Sequence, residues 1–362
     1  MAFYVCSDAD ASHHDLATKA VVARSLAALL DLDYSGECDR HSVPAIKPYV
    51  VPSQTLSEPQ EIEGLGIRGP HDFFGGVVPH RFVGTKVITH ALAHAQATAP
   101  AGWSREFGRC TCDAVLPGYS AFTVHDALLG GARLLEHGSL RVKEPAAAGG
   151  AGQHVVHRLD ELEACLAALD PGALRRDGVV LERNLTQVRT HSIGQVDVGP
   201  WQASYVGLQR ETRNGRGHVV YGGSTLAVVR GDMESLLEPE LAPEVRTAVE
   251  QSLAYHRNAL RLFRGTFASR CNYDVAQGID DEGRWHSGVL EQSWRIGGAS
   301  GAEIAALHAF KADPARQRVN ASTAEVYAPE KPPADAHVQF DGVDQHGDRL
   351  IKCIQVDHDA HP

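Results

Sequence analysis

The sequence predicts an α+β protein: two α+β lobes preceded by a small α/β N-terminal domain. Three observations predict it. Residues 113–185 carry strand and helix patterns in the order β-α-β-β-α-β, a compact α+β lobe. Residues 188–231 read as a run of antiparallel strands. Residues 271–296 read as a hairpin. A chain of 362 residues, 43% of them apolar, is long enough for two or three lobes with real cores.

The elements follow in order. FYVC at 3–6 is a short strand, and His14 to Leu30 has helical spacing of apolar residues. Residues 34–70 are rich in Gly, Pro and Ser, with one strand-like piece from Pro48 to Pro52. Thr85 to Thr98 is expected as a helix closed by Pro100. DAVLPGYSAF then gives a strand and turn, Val124 to His137 an amphipathic helix, and Leu140 to Lys143 a strand. Gln153 to His157 is a strand, Leu159 to Leu169 a helix, and GVVLERNL at 178–185 a strand. Pro243 to Phe263 and Ala302 to Phe310 are the last helices, and the segment from 313 ends in strand-like HVQF and RLIKCIQV. The expected division is 1–112, 113–183, 184–312 and a tail, 313–362.

Composition excludes several classes. A net charge of −11 argues against a nucleic-acid surface, which needs a basic stripe. No apolar run approaches the ~20 residues of a membrane span. MAFYVCSDAD has no basic flank or long apolar stretch, so no secretory leader is expected. Seven scattered cysteines suit free thiols and a cytoplasmic location. Gly84-Thr85-Lys86 lacks the earlier glycine of a P-loop, and no G-x-S-x-G is present. Gly64-Leu-Gly-Ile-Arg-Gly69 matches a dinucleotide loop, but no strand precedes it and Pro70 follows. None of the twenty histidines shows zinc spacing.

The hairpin carries the most chemistry. Asp281-Glu282-Gly283 is a turn signal between apolar runs. A turn centred between Glu282 and Gly283 sets Asp274 opposite Glu291; a three-residue loop would shift the pairing by one, and a bulge could restore it. Glu291, Ser293 and Arg295 share one strand face, while Leu290, Gln292, Trp294 and Ile296 share the other. Two opposed carboxylates repel unless a cation lies between them, and oxygen ligands suit Mg²⁺. A solvated polar face with Arg295 neutralising Glu291 is the alternative.

Only seven lysines occur, so a lysine inside an apolar strand stands out. Lys143 ends such a strand and is followed by Ala146 to Gly152, with Gly149, Gly150 and Gly152 in the loop. Backbone N–H groups of a Gly-rich loop can approach phosphate oxygens, and lysine supplies a point charge. Lys86 sits at an expected helix start, where phosphate also binds.

Taken in order, these pieces resemble the ATP-grasp superfamily over roughly residues 80–310. Lys86 resembles the lysine before the lid. VKEPAAAGGAGQHVV resembles the lid strand, loop and strand, with Lys143 the second lysine. VVLERNL resembles the hinge led by Glu182, and LEQSWRIGG the E-x-N-x-R end, with Glu291 and Arg295 in register. Ser293 departs from the usual Asn, and Arg189 stands near where an acidic ribose contact is usual.

The resemblance implies two lobes clasping ATP with Mg²⁺. Adenine would lie beside Glu182, Arg183, Asn184 and Leu185. Lys86, Lys143 and the loop Gly149, Gly150, Gly152 would hold phosphates. Asp274, Glu291 and Ser293 would hold metal, and Arg295 with Lys143 would serve catalysis. The implied activity is ligation of a small-molecule carboxylate, through an acyl phosphate, to an amine or other nucleophile. A phosphotransferase or a nucleotide-binding module with little catalysis are the alternatives. The segment from 313 is expected to cover the cleft or to mediate self-association into a homo-oligomer.

Overall fold

The computed structural model describes residues 1–6, 12–42, 47–145, 147, 152–238 and 240–357. The chain begins with β1 (Ala2–Tyr4), α1 (His13–Leu29), β2 (Glu37–Cys38) and β3 (Val50–Pro52). The three strands form a parallel sheet in the order β2-β1-β3. α1 presents Ala20, Ala23, Leu26 and Ala27 to a core shared with Phe3 and Val51. Then come α2 (Pro59–Leu65), β4 (Gly76–Val77) and α3 (Arg105–Cys110).

The expected helix over 85–98 does not form. A 3-10 turn, Lys86–Ile88, is followed by irregular chain. Its carbonyls are taken by side chains from elsewhere instead of by a helical ladder. Gln292 donates to the Val83 and Thr85 carbonyls, Ser120 to Val87, and Arg105 to His94 and Ala97. β-branched Thr85, Val87, Ile88 and Thr89 add little helical preference against that competition.

The next lobe runs β5 (Gly118–Ala121), α4 (Val124–Leu135), β6 (Leu140–Lys143), β7 (Gln153–Val156), α5 (Leu159–Ala167), α6 (Pro171–Asp177) and β8 (Val179–Arg183). Its four strands pair antiparallel in the order β5-β8-β6-β7. Thr123 caps α4 by accepting from the Asp126 amide, and the Asp126 carboxylate accepts from the Thr98 amide, tying the irregular segment to the lobe. α4 and α5 cover one sheet face through Ala127, Leu134, Leu162 and Leu166.

The largest unit comprises β9 (Thr186–Val198), β10 (Trp201–Arg213), β11 (Val219–Arg230), α7 (Pro243–Leu262), β12 (Phe267–Ala268), β13 (Arg270–Ile279), β14 (Trp285–Ser293) and α8 (Ser300–Ala312). β15 (Arg318–Tyr327), β16 (His337–Val343) and β17 (Arg349–Asp357) follow. The segment from 313, expected as a tail, thus continues the same antiparallel sheet, ordered β14-β13-β9-β10-β11-β15-β17-β16. One sheet face packs on α7 through Tyr273, Val275, Tyr255 and Trp294. The other packs on α8 and α1 through Tyr205, Leu226, Ile304 and Phe310, and is polar toward β14. No helix among the described residues is long and apolar enough to cross a membrane.

Candidate functional site

The β13–β14 hairpin sets the first part of the site. Ile279 pairs with Trp285 and Val275 with Val289, so the loop is one residue longer than a two-residue turn. Gly283, at φ +79°, supplies the left-handed residue that this loop needs. The Asp280 carboxylate accepts from the Glu282 and Arg284 amides at 2.9 Å each and fixes the turn. A bulge between Asp274 and Val275 then restores the register, and Asp274 pairs with Glu291 and Asn272 with Ser293. Gln292 and Trp294 are buried on the α7 side as expected, but β14 ends at Ser293 and Ile296 packs into the core of the opposite face, so the alternation stops there.

Asp274 is held from several sides. Its Oδ1 accepts from the Ser192 hydroxyl at 3.0 Å and the Asn272 amide at 2.8 Å. Burial, then the charge of Glu291 opposite, pushes its carboxyl above the usual carboxylate range. Behind Asn272 lies a buried network. Tyr205 hydroxyl sits between Asn272 Oδ1 at 2.9 Å and Glu303 Oε1 at 2.6 Å. Arg270 grips Glu303 with two bonds, at 3.1 and 2.7 Å, and donates to the Ser293 and Arg295 carbonyls. The strand end that carries Ser293 and Arg295 is therefore anchored to α8.

The basic residues arrive from two other regions. Lys86, 5% exposed, lies 3.0 Å from Glu291 Oε2 and donates to the Ala147 carbonyl at 2.5 Å. It joins the hairpin to the loop after β6. Lys143 is buried and contacts Glu182 Oε1, while His90 Nε2 is 3.2 Å from Glu182 Oε2. Antiparallel pairing puts Arg141 opposite Glu182, so Lys143 reaches it diagonally on the same sheet face. Burial alone would raise the Glu182 carboxyl, but Lys143 and then His90 bring it down to about 2.

The remaining hinge side chains are engaged locally. Arg183 donates to the His137 carbonyl, and Asn184 accepts from Arg141 at 2.8 Å and donates to Ser139. Leu185 packs with Leu116, Ala276 and Leu290, an apolar cluster between the lobes. The hairpin tip also reaches across: Asp281 accepts from the Ser139 amide at 2.5 Å. Gly152 adopts φ +62°, as a tight return to β7 requires. Gly149 and Gly150 lie outside the described residues.

Lys86, Glu291, Lys143, Glu182 and Asp274 thus surround the junction of the lobes. Sequence reading missed His90, Asn272, Ser192 and Gln209, whose amide donates to the Ser192 hydroxyl at 3.0 Å. Asn272 was open to discovery, because it lies two residues before Asp274 on the same strand face. His90 had no signal, since it comes from irregular chain.

The donor set can be weighed for a cation. Among the described residues no group of three or more His, Cys, Asp or Glu side chains could hold a metal. Asp274 and Glu291 nevertheless form an opposed carboxylate pair of the kind a hard cation relieves. Ser293 fits less well, since its Oγ faces the Arg270 guanidinium at 3.4 Å.

Comparison with solved structures places the fold. The chain is similar to phosphoribosylamine–glycine ligase from Thermotoga maritima, at 14% identity and a TM-score of 0.55, over 99% of this chain and 93% of that one. It is also similar to D-alanyl-alanine synthetase A from Vibrio cholerae, at 11% identity and a TM-score of 0.45, over 81% and 88%. The α+β architecture is the ATP-grasp fold of the first of these. No curated protein sequence matches the chain. A family model described as a protein of unknown function, DUF3182, matches residues 3–354, and the chain belongs to that family.

Proposed function

We propose that the protein is an ATP-dependent ligase of ATP-grasp type that activates a small-molecule carboxylate for attack by an amine or another nucleophile. One observation carries the reading: Lys86 touches Glu291 of the hairpin and the Ala147 carbonyl of the lid loop together. A cation placed there, with Lys143 and two carboxylates nearby, is the charge pattern that a magnesium-bound triphosphate needs.

In this reading Lys86 and Lys143 hold phosphates, and Asp274 and Glu291 hold Mg²⁺. The apolar cluster at Leu116, Leu185 and Leu290 gives a purine a wall beside Glu182. Bound Mg-ATP supplies a phosphoryl group to the substrate carboxylate, leaving an acyl phosphate open to displacement. The chain's own residues position and neutralise charge, and no covalent nucleophile is required. Lys86 must exchange Glu291 for phosphate, and Asp274, held by Ser192 and Asn272, keeps its place for the metal. Arg295, two residues past the end of β14, would stabilise charge on the transferred group.

The test is ADP release by purified protein with a panel of carboxylates and amines. Wild-type protein is expected to release ADP with at least one pair, and Glu291→Ala to lose about 100-fold or more of that rate, as removal of a charge-stabilising group does. Unchanged turnover in Glu291→Ala discards the metal assignment. A phosphorylated acid as the final product, with no amide, makes the enzyme a phosphotransferase.

A further inference from the structure

Lys143, Glu182 and His90 form a buried cluster of three, with side chains 5%, 3% and 1% exposed. Lys143 contacts Glu182 Oε1, and His90 Nε2 lies 3.2 Å from Oε2. With Lys143 beside it the carboxylate is ionised and can only accept, so His90 Nε2 carries the hydrogen of that bond. The other ring nitrogen, Nδ1, then holds a lone pair, and it is buried with no bonding partner among the described residues. A buried acceptor left unmatched is unfavourable.

The ring fits there because residue 118 is glycine. A side chain at that position would begin 2.7 Å from His90 Nδ1 and 2.7 Å from the Leu181 carbonyl oxygen. The carbonyl borders the same gap and offers an acceptor to a hydrogen placed on Nδ1.

The charges around the ring come from several strands. Glu182 faces it from β8, with Lys143 beside Glu182 from β6. β5 brings Gly118, which carries no charge. Arg141, on the same side of β6, turns its guanidinium to the neutral Asn184 and Gln153. On the hairpin, Glu291 is met by Lys86. Residues 146 and 148–151, outside the described residues, are alanine and glycine and add no charge.

A nucleotide upsets this balance. Mg-ATP is a net anion, and Lys143 turned toward phosphate no longer neutralises Glu182. A carboxylate this deeply buried is strongly unfavourable without a cation. One proton added to the His90–Glu182 pair restores the balance. Imidazole is the more basic of the two groups, by about two pH units in free side chains, so it is the one that takes the proton.

We propose that His90 is the charge-balancing residue of the nucleotide site: as Mg-ATP draws Lys143 off Glu182, His90 takes up one proton at Nδ1, and the imidazolium replaces the lysine as the partner of Glu182. The proposal rests on the ligase reading above, which assigns Lys143 to phosphate. One N–H bond forms, and the proton comes from the buffer. Because the complex holds one proton more than the free protein and nucleotide, binding tightens as pH falls and weakens as pH rises.

The experiment is calorimetric titration of the full chain with Mg-ATP at about pH 7.5, in two buffers of very different ionisation enthalpy, which counts the protons taken up. Wild-type protein is expected to take up about half a proton or more per nucleotide, and its Kd to rise several-fold, at most about tenfold, per pH unit above that. His90→Gln keeps a donor for Glu182 but cannot be protonated. It should bind Mg-ATP about tenfold more weakly, without proton uptake and with a flat pH profile, which loss of packing alone would not produce. Should His90→Gln fail to fold, Glu182→Gln removes the charge to be balanced and is expected to abolish the uptake as well. Binding of Mg-ATP to wild type without proton uptake, or uptake that persists in either variant, overturns the proposal and leaves the ligase reading standing. Absence of Mg-ATP binding overturns both.

Discussion

Replacing Glu182 by Gln leaves Lys143 buried without its carboxylate. Both side chains are about 5% exposed or less, so water screens the pair little. Holding the Glu182 carboxyl at about 2 instead of 4.5 corresponds to a contribution on the order of 3 kcal/mol, at about 1.4 kcal/mol per pH unit. Breaking a buried pair from one side independently costs about 3–5 kcal/mol. A chain of 362 residues melting as one unit shifts by about 1.3 °C per kcal/mol, at about 2.1 cal/mol/K per residue, so Glu182→Gln should melt about 4–7 °C lower. The assay is calorimetric melting of wild type, Glu182→Gln, Lys143→Met and the double variant. The double variant removes both charges and should recover at least about half of the loss. A Glu182→Gln protein melting within about 1 °C of wild type would refute the pairing argument.

Other outcomes follow from the same geometry. The Glu182 carboxyl is depressed in the folded chain, so its contribution is present above its ordinary value and fades as pH falls from about 4.5 toward 2; acid titration of Tm should steepen there, and less so in Glu182→Gln. Asp274 is raised, so any stabilisation from its protonated form is lost as pH rises, and ionised Asp274 burdens the fold at neutral pH. Asp274→Asn should therefore melt higher than wild type without nucleotide while losing ADP release; a lower Tm contradicts the repulsion. Glu303→Gln leaves Arg270 buried and underpaired and should cost about 3–5 kcal/mol, read by chemical denaturation. Arg270→Met with Glu303→Leu should recover most of that stability, and failure to recover contradicts the pair as its cause.

The hairpin was legible because its chemistry is local. Asp281-Glu282-Gly283 marked the turn, but the loop is one residue longer than the two-residue turn assumed, and Asp274 meets Glu291 only because the bulge between Asp274 and Val275 restores the register. The lobe around Lys143 was legible for the same reason, from alternating strand and helix patterns, although the short helix α6, capped by Asp170, was not expected. What failed was non-local. Thr85 to Thr98 has helical spacing, yet Gln292, Ser120 and Arg105 claim its carbonyls from distant elements. His90 reaches Glu182 only because that segment stays irregular. RLIKCIQV was readable as a strand, but nothing local says which sheet it joins. Its pairing with β15 is a tertiary outcome, and so is the meeting of Lys352 with Glu325.

The central claim is that acidic and basic side chains from separate lobes converge on one triphosphate. Hydrogen exchange with and without Mg-ATP tests it most directly. Magnesium-dependent protection is expected at residues 140–145 and 179–185 together with residues 270–293, with loss of both in Lys143→Met. Protection confined to one lobe, or none at saturating Mg-ATP, would contradict it.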